Sequence, residues 1–304
     1  MLFRKGFQAL PEIYHASNFP SPPRSIHVKM SNTNECQHFM QWALPQLGLR
    51  QKGYKKVRKQ VCKRIQKRIA ELRLHGFAAY RDYIENHPDE WSTLDAFTRI
   101  TISRFFRDYR SWQKLADELL PDLARSAQGK QRTLRCWSAG CASGEEAYSL
   151  ALVWHHWVSG KIPRQQMEII ATDVDEHMLQ RAAEACYPGG SIKDVPRPLL
   201  KESFRKMEGS YCLDYGIREM VSFIQQDIRY QMPEGPFDVI FCKNLVGMYF
   251  IREKAVELFR KITGRLTEGG ILLTGNHEPF PIEDLPHMTT ENRGLNMYRK
   301  KAFE

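Results

Sequence analysis

The second half of the chain alternates short apolar runs with longer helical stretches, and this alternation constrains the fold more than any other feature. The runs that predict buried strands are Thr133–Ser138, Glu168–Thr172, Met220–Ile224, Phe237–Cys242 and Gly270–Thr274. Helical stretches lie between most of them, at Gly144–Val158, Asp175–Cys186 and Arg252–Leu266. Strands separated by helices indicate an α/β fold with a parallel sheet.

Before this region the pattern is helical. Val57, Val61, Ile65, Ile69 and Leu72 recur at helical spacing and form one apolar stripe. Ser111 is expected to cap a helix that ends at Leu120, because Pro121 disfavours its continuation.

These patterns divide the chain into three parts. Residues 1–30 are expected to be a flexible tail or an over-extended gene start; an organelle leader is disfavoured by the prolines at positions 20, 22 and 23. Residues 31–120 form a predicted all-helical domain, and residues 121–304 the α/β domain. The interval at about 187–217 is rich in glycine and proline, and we expect a small inserted subdomain there.

The net charge of +10 is concentrated in one segment. Eleven Lys and Arg residues lie between Arg50 and Arg73, against the single acid Glu71. The remainder of the chain is neutral, which favours a local acidic partner over general nucleic-acid binding. With 42% hydrophobic and 26% charged residues the composition is that of a globular protein, and no apolar run is long enough to span a membrane.

The seven cysteines are widely spaced, without a CxxC pair or a histidine at ligand spacing. We therefore expect neither a disulfide framework nor a metal site. A reducing cytoplasm is the compartment that this cysteine usage favours.

The first predicted strand ends in a loop with Gly140 and Gly144, followed directly by Glu145 and Glu146. The glycines allow a tight turn and close approach of a ligand. The loop lacks the GKS/T of a phosphate-binding loop, and two carboxylates at a helix start would repel phosphate. A cationic or sugar-like ligand fits better, although both carboxylates could instead complement the helix dipole.

Two further acids complete a nucleoside site. Asp173, at the end of the second strand, is expected to bind a ribose diol, while Asp175 fits a helix cap better. Asp227 follows the third strand, where it could accept a hydrogen bond from an exocyclic amine. S-adenosylmethionine fits this pattern; NAD and ATP fit it less well.

The motifs, in their order along the chain, resemble those of the CheR family of chemotaxis-receptor (protein-glutamate) O-methyltransferases. They are Thr101-Ile-Ser-Arg-Phe-Phe-Arg107, Trp137-Ser-Ala-Gly-Cys-Ala-Ser-Gly-Glu-Glu-Ala-Tyr-Ser149, Ala171-Thr-Asp-Val-Asp175, Gly235-Pro-Phe-Asp-Val-Ile-Phe-Cys-Lys-Asn244 and Gly275-Asn-His-Glu278. The resemblance covers about residues 35–300. It implies a Rossmann-like S-adenosylmethionine-dependent methyltransferase sheet with a small antiparallel β insert, preceded by a helical domain.

The resemblance also implies the site residues. Those expected to bind S-adenosylmethionine, or its product S-adenosylhomocysteine, are Thr101, Ser103, Arg107, Gly140, Glu146, Asp173, Asp227, Ile228, Lys243 and Asn244. Arg107 and Tyr249 are the candidate catalytic residues. The segment after Asn244 is one residue longer than the family's usual pattern, so Tyr249 reaches the methyl group only if Gly247 is accommodated as a bulge.

The function implied is the formation of glutamate methyl esters on chemotaxis-type receptors by a cytoplasmic monomer. The basic helix would dock an acidic helical receptor domain. Two alternatives remain open at this point: a methyltransferase of different specificity, acting on RNA or another acceptor, and a non-catalytic relative that binds the cofactor in signalling.

Overall fold

The computed structural model describes residues 32–302, so the predicted tail over residues 1–30 lies outside the described residues. The α-helices are α1 (Asn32–Gln46), α2 (Gln51–Tyr54), α3 (Arg58–Glu71), α4 (Phe77–Asn86), α5 (Glu90–Thr98), α6 (Tyr109–Lys114), α7 (Leu120–Gly129), α8 (Glu145–Val153), α9 (Glu176–Glu184), α10 (Gly189–Ile192), α11 (Arg197–Ser203), α12 (Tyr215–Arg218), α13 (Val246–Tyr249) and α14 (Arg252–Gly264). Over the described range, none of these helices has the length and apolar character needed to cross a bilayer.

The strands form two sheets. They are β1 (Leu134–Ala139), β2 (Met167–Asp173), β3 (Cys186–Pro188), β4 (Phe204–Met207), β5 (Ser210–Leu213), β6 (Val221–Gln225), β7 (Phe237–Cys242), β8 (Leu266–Thr274), β9 (Met288–Asn292) and β10 (Met297–Lys300). The large sheet has the order β6-β2-β1-β7-β8-β10-β9, with its first five strands parallel. This confirms the predicted α/β fold.

The small sheet confirms the predicted insert. Strands β3, β5 and β4 pair antiparallel in that order. The insert is fastened to the glycine loop and to the segment before α6, because the Tyr187 hydroxyl donates to the Ser143 carbonyl at 2.7 Å and the Phe105 amide to the Ser191 carbonyl at 3.0 Å.

Two apolar cores flank the large sheet. One joins α1, α3, α4 and α5 to α14 and to one sheet face, through buried residues such as Tyr80, Trp137 and Phe259. The other joins α6, α7, α8 and the insert to the opposite face. The N-terminal helices therefore share a core with the sheet, which places them beside the strand ends.

The expectation for Ser111 and Pro121 is wrong. Ser111 lies buried inside α6, and the helix continues past residue 120 to Gly129. A π-helical turn at Leu115–Leu119 precedes Pro121 and shifts the hydrogen-bond pattern there. A proline without an N–H is thereby accommodated in the first turn of α7.

The expectation that the chain has no disulfide is also wrong. Cys36 of α1 is bonded to Cys62 of α3, and Cys186 of β3 to Cys212 of β5. Helix packing brings the first pair together and antiparallel register the second, so neither follows from spacing in the sequence. The cysteines therefore no longer support a reducing compartment. No group of His, Cys, Asp and Glu in residues 32–302 is arranged to hold a metal ion.

A partly buried ion pair anchors the inner face of α3. The Arg68 guanidinium donates to both Glu90 oxygens at 2.9 and 2.8 Å, and the Tyr80 hydroxyl donates to Glu90 at 2.9 Å. These hydrogen bonds, that of Arg68 above all, lower the pKa of Glu90 although burial opposes them.

We expect Glu90→Gln to reduce the free energy of unfolding at pH 7 by about 1–3 kcal/mol, because the guanidinium loses the closer of its two carboxylate partners and retains only Glu71 at 3.5 Å. The folded-state pKa of Glu90 lies below the unfolded one, so its contribution is present above the unfolded pKa and disappears as pH falls through the folded pKa. Urea unfolding at pH 7 and at acid pH tests this. The matched control is Glu85→Gln, which removes an exposed pair with Arg81 and is expected to change little.

Candidate functional site

A cavity of about 690 Å³ lies at the carboxyl ends of β1, β2 and β7. Every site residue predicted from the sequence lines it: Thr101, Ser103, Arg107, Gly140, Glu146, Asp173, Asp227, Ile228, Lys243, Asn244 and Tyr249. The carboxyl ends of adjacent parallel strands converge on one edge of a sheet, which is why residues up to about 150 positions apart meet here.

The loop after β1 requires its two glycines. Gly140 and Gly144 have φ of +72° and +86°. A Cβ on Gly140 would lie 2.7 Å from a methyl carbon of Leu245, and one on Gly144 would lie 2.9 Å from the Ala182 Cβ. Left-handed backbone and tight packing both favour glycine at these positions. The loop thus keeps its backbone close to the cavity.

Asp173 lines the cavity and also holds the glycine loop. Its Oδ2 accepts from the Ala142 amide at 2.8 Å and its Oδ1 from the Asp175 amide at 2.9 Å. Burial raises the pKa of Asp173, and these amides oppose the rise. Asp175 caps α9 by accepting from the Met178 amide at 3.2 Å, as predicted.

The two glutamates that begin α8 have different surroundings. Glu146 reaches the cavity, where Ser138 donates to its Oε1 at 2.8 Å. Burial raises the pKa of Glu146, while the charge of Lys243 lowers it. Glu145 is buried away from the cavity and accepts from the Ser143 hydroxyl. Of the two carboxylates, Glu146 is therefore the one available to a ligand.

The carboxylate of Asp227 accepts several hydrogen bonds from Arg229, which the sequence does not indicate. Arg229 donates to Asp227 through its backbone amide, Nε and Nη2, at 2.6–3.0 Å. The same guanidinium binds both oxygens of Asp95 in α5, at 2.7 and 2.8 Å. Burial raises the pKa of Asp227, but Arg229 outweighs it and leaves that pKa below the usual value. Contact of Asp227 with an amine stays a prediction.

A polar cluster of Arg107, Asp108, Lys243, Asn244 and Asn276 also lines the cavity. Lys243 Nζ lies 3.3 Å from Asp108 Oδ2, and Asn276 donates to Asp108 Oδ1 at 2.7 Å. Arg107 approaches the Asn244 side-chain oxygen at 3.5 Å. Among the described residues Arg107 has no carboxylate within ion-pair distance, so its guanidinium is available to a ligand. Asp108 and Asn276 line the cavity but were not among the residues predicted.

Tyr249 lines the cavity although Gly247 does not form the bulge that the sequence comparison set as the condition for this position. Gly247 lies inside the helical turn α13 and is buried. Its Cβ would lie 2.1 Å from the Pro279 carbonyl oxygen, and its amide donates to Glu278 at 2.8 Å. The extra residue is part of a packed helical turn, so deleting Gly247 would remove a buried hydrogen bond.

The N-terminal basic segment also contributes to the site. Arg50, Lys52, Lys55 and Lys56 line the cavity beside Tyr249. The Tyr54 and Tyr249 rings lie 5.1 Å apart, and burial above all raises the pKa of Tyr249, which therefore remains a neutral phenol near pH 7. The sequence does not indicate that this segment lies beside Tyr249, because the two are about 200 residues apart in the chain.

The lining fits S-adenosylmethionine. The cavity volume lies within the range of small-molecule sites. Asp173 offers an acceptor to a diol, Glu146 faces the cavity as an acceptor for an amine, and no loop of the phosphate-binding type is present among the lining residues. Arg107 and Lys243 supply cationic donors suited to a carboxylate.

Comparisons with known proteins agree with S-adenosylmethionine as the cofactor. Residues 101–293 match the family model described as CheR methyltransferase, SAM binding domain. The chain is 32% identical over 250 residues to chemotaxis protein methyltransferase 2 of Vibrio cholerae, covering 79% of this chain and 84% of that protein. It is 29% identical to a probable chemotaxis protein methyltransferase of Rhizobium etli (79% and 90% covered) and 28% identical to the chemotaxis protein methyltransferase of Escherichia coli (73% and 77%).

Proposed function

Because the chain belongs to the CheR methyltransferase family, we propose that it forms glutamate methyl esters on chemotaxis-type receptor proteins. Its cofactor is S-adenosylmethionine and its reaction is methyl transfer. The observation that carries the proposal is the convergence of eleven predicted residues on one cavity. Transfer of labelled methyl groups from S-adenosylmethionine to an acidic helical receptor fragment tests it.

When bound, S-adenosylmethionine supplies a methyl group activated by its sulfonium. Asp173 would accept hydrogen bonds from the ribose hydroxyls, and Glu146 would bind the cationic amino group. Ile228 and the backbone beside Asp227 would line the adenine. Thr101, Ser103, Lys243 and Asn244 complete the proposed contacts around the cofactor.

The acceptor needs no general base. A glutamate side chain has an unperturbed pKa of about 4.3, so it is already ionised at neutral pH. The protein must instead align the carboxylate with the methyl group and exclude competing water. Arg107 can orient the carboxylate through its planar fork, and the neutral Tyr249 hydroxyl can donate a hydrogen bond at the reacting end of the cavity.

The arginines and the lysines of α3 lie on different faces of the helix. Its arginines are turned towards the protein: Arg58 binds Gln37, Arg64 binds the carbonyls of Phe97 and Arg99, and Arg68 binds Glu90. Its lysines Lys59, Lys63 and Lys67 are exposed at intervals of four residues. Among residues 32–302 only Lys67 has a carboxylate within ion-pair distance, that of Glu71 at 3.7 Å. We call these three residues the lysine face.

The lysine face is the proposed docking surface for the acidic receptor helix. It leads along α3 towards Lys52, Lys55 and Lys56 at the cavity, so an acidic helix bound there lies near the reacting end. The cytoplasm is the proposed compartment, because this partner presents its signalling domain there. Action as a monomer stays a prediction.

Reversing Lys59, Lys63 and Lys67 to glutamate is expected to raise the KM for a receptor fragment about tenfold or more, since three attractive charges become repulsive. The affinity for S-adenosylhomocysteine should not change, because the lysine face lies outside the cavity. Increasing salt should also raise the KM of the wild type, because it screens the same charges.

The matched control reverses Lys130, Lys161 and Lys301, which are exposed elsewhere and give the same change in net charge. Equal KM values for the two triple variants would show that the KM depends only on net charge. The lysine face would then not be the docking surface.

A further inference from the structure

The turn that carries Tyr249 is a four-residue helix, α13, close to the cavity. A helix this short leaves nearly all of its backbone N–H and C=O groups without a partner inside the helix. Burying such groups is costly unless other atoms bind them. The positions of Asn244 and Tyr249 therefore depend on what satisfies the two ends of α13.

Glu278 satisfies the amino end. Its carboxylate accepts from the amides of Asn244 (2.5 Å), Leu245 (3.1 Å), Gly247 (2.8 Å) and Met248 (3.2 Å), and from that of Gly275 (2.9 Å). The residue is 4% exposed. Burial raises the pKa of Glu278, and the surrounding amides oppose this. One buried side chain thus binds four amides of the segment 244–248.

Arg50 satisfies the carboxyl end. Its backbone amide donates to the Tyr249 carbonyl at 2.8 Å and its Nε to the Met248 carbonyl at 2.8 Å. The two segments approach closely, since a Cβ on Gly53 would lie 2.3 Å from the Met248 carbonyl oxygen. An anion at the amino end and a cation at the carboxyl end both match the polarity of the helix.

We propose that Glu278 and Arg50 are positioning residues that clamp α13 from its two ends and so hold Asn244 and Tyr249 in the geometry that methyl transfer requires. The catalytic role of the clamp rests on the proposed function. The clamp itself is a property of the protein without cofactor or acceptor.

The clamp gives Arg50 a role different from that of the lysine face. Arg50 begins the basic segment, but its side chain is bound to the active-site turn and not directed at a partner. The helical domain therefore builds one wall of the active site besides carrying the docking surface.

The first test is amide hydrogen exchange of residues 244–248 in the cofactor-free protein. Glu278→Gln retains the size of the side chain but places an NH₂ group against amide donors, and Arg50→Met retains the aliphatic stem. We expect exchange of these amides to accelerate about tenfold or more in each variant. The matched control is Asp238→Asn, a buried carboxylate that Arg132 binds at 2.7 Å away from the cavity.

The second test separates positioning from general stability. Glu278→Gln is expected to lower kcat about tenfold. The double variant with Tyr249→Phe should lose less than the product of the two single losses, because Glu278 acts in part through the Tyr249 hydroxyl. Asp238→Asn should lower the melting temperature, but its effect on kcat should not be coupled to that of Tyr249→Phe. The proposal would be overturned if the kcat losses of Glu278→Gln and Tyr249→Phe multiplied in the double variant. It would also be overturned if amide exchange of residues 244–248 were unchanged in both Glu278→Gln and Arg50→Met.

The two tests also distinguish failure of the clamp from failure of the proposed function. If the wild type methylates no receptor fragment, the proposed function fails, while faster exchange in the variants still supports the clamp. If the wild type is active and exchange of residues 244–248 is as slow in Glu278→Gln and Arg50→Met as in the wild type, the clamp is wrong and the function stands.

Discussion

Replacing Asp173 by alanine is expected to weaken S-adenosylhomocysteine binding about 30- to 150-fold, or about 2–3 kcal/mol. The substitution removes the acceptor proposed for the ribose hydroxyls. It also frees the Ala142 amide, which Asp173 binds at 2.8 Å, so the glycine loop loses its anchor at the same time. Titration calorimetry of the folded variant measures the loss directly.

Asp175→Ala is the matched control, because it removes an acid two residues away that caps α9 and does not line the cavity. It should cost about 1 kcal/mol of stability and leave cofactor affinity within twofold. Equal affinities of the Asp173 variant and the wild type would exclude Asp173 from the binding site.

Replacing Arg107 by lysine is expected to lower kcat/KM for the acceptor about 10- to 100-fold. Lysine keeps the positive charge but loses the planar pair of donors that can orient a carboxylate. The guanidinium has no ion-pair partner among residues 32–302, so little stability should be lost. Affinity for S-adenosylhomocysteine should fall less than kcat/KM, since other residues also bind the cofactor.

Arg110→Lys is the control for this substitution, because Arg110 is exposed in the same part of the chain and lies outside the cavity. Steady-state kinetics with the same receptor fragment compare kcat/KM of the two variants. Turnover of the Arg107 variant within twofold of the wild type would remove Arg107 from the catalytic residues.

The sequence predicts the parallel sheet from local patterns, because apolar runs mark the buried strands. Asp173 lies at the end of the second strand, and residues at the carboxyl ends of adjacent parallel strands meet at one sheet edge. Most of the other cavity residues, Lys243 among them, are predicted only by the resemblance to the motifs of the CheR family. The antiparallel strands β9 and β10 are not predicted, because their side chains are mostly polar and only partly buried.

Contacts between distant parts of the chain are not predictable from such patterns. Arg229 joins Asp95 across 134 positions, and Glu278 binds amides about 30 positions earlier. The two disulfides each join cysteines 26 positions apart. In every case the packing of whole elements sets the contact. The same reason explains Gly247, whose place in α13 depends on the close approach of Pro279.

We propose that this cavity transfers methyl groups from S-adenosylmethionine to glutamate side chains of a receptor. The most direct measurement incubates the protein with methyl-tritiated S-adenosylmethionine and an acidic helical receptor fragment, and then treats the product with base. If glutamate methyl esters are formed, the fragment carries label that base releases as volatile methanol. Label that is stable to base, label found in RNA, or no transfer to any acidic helical fragment would contradict this proposal.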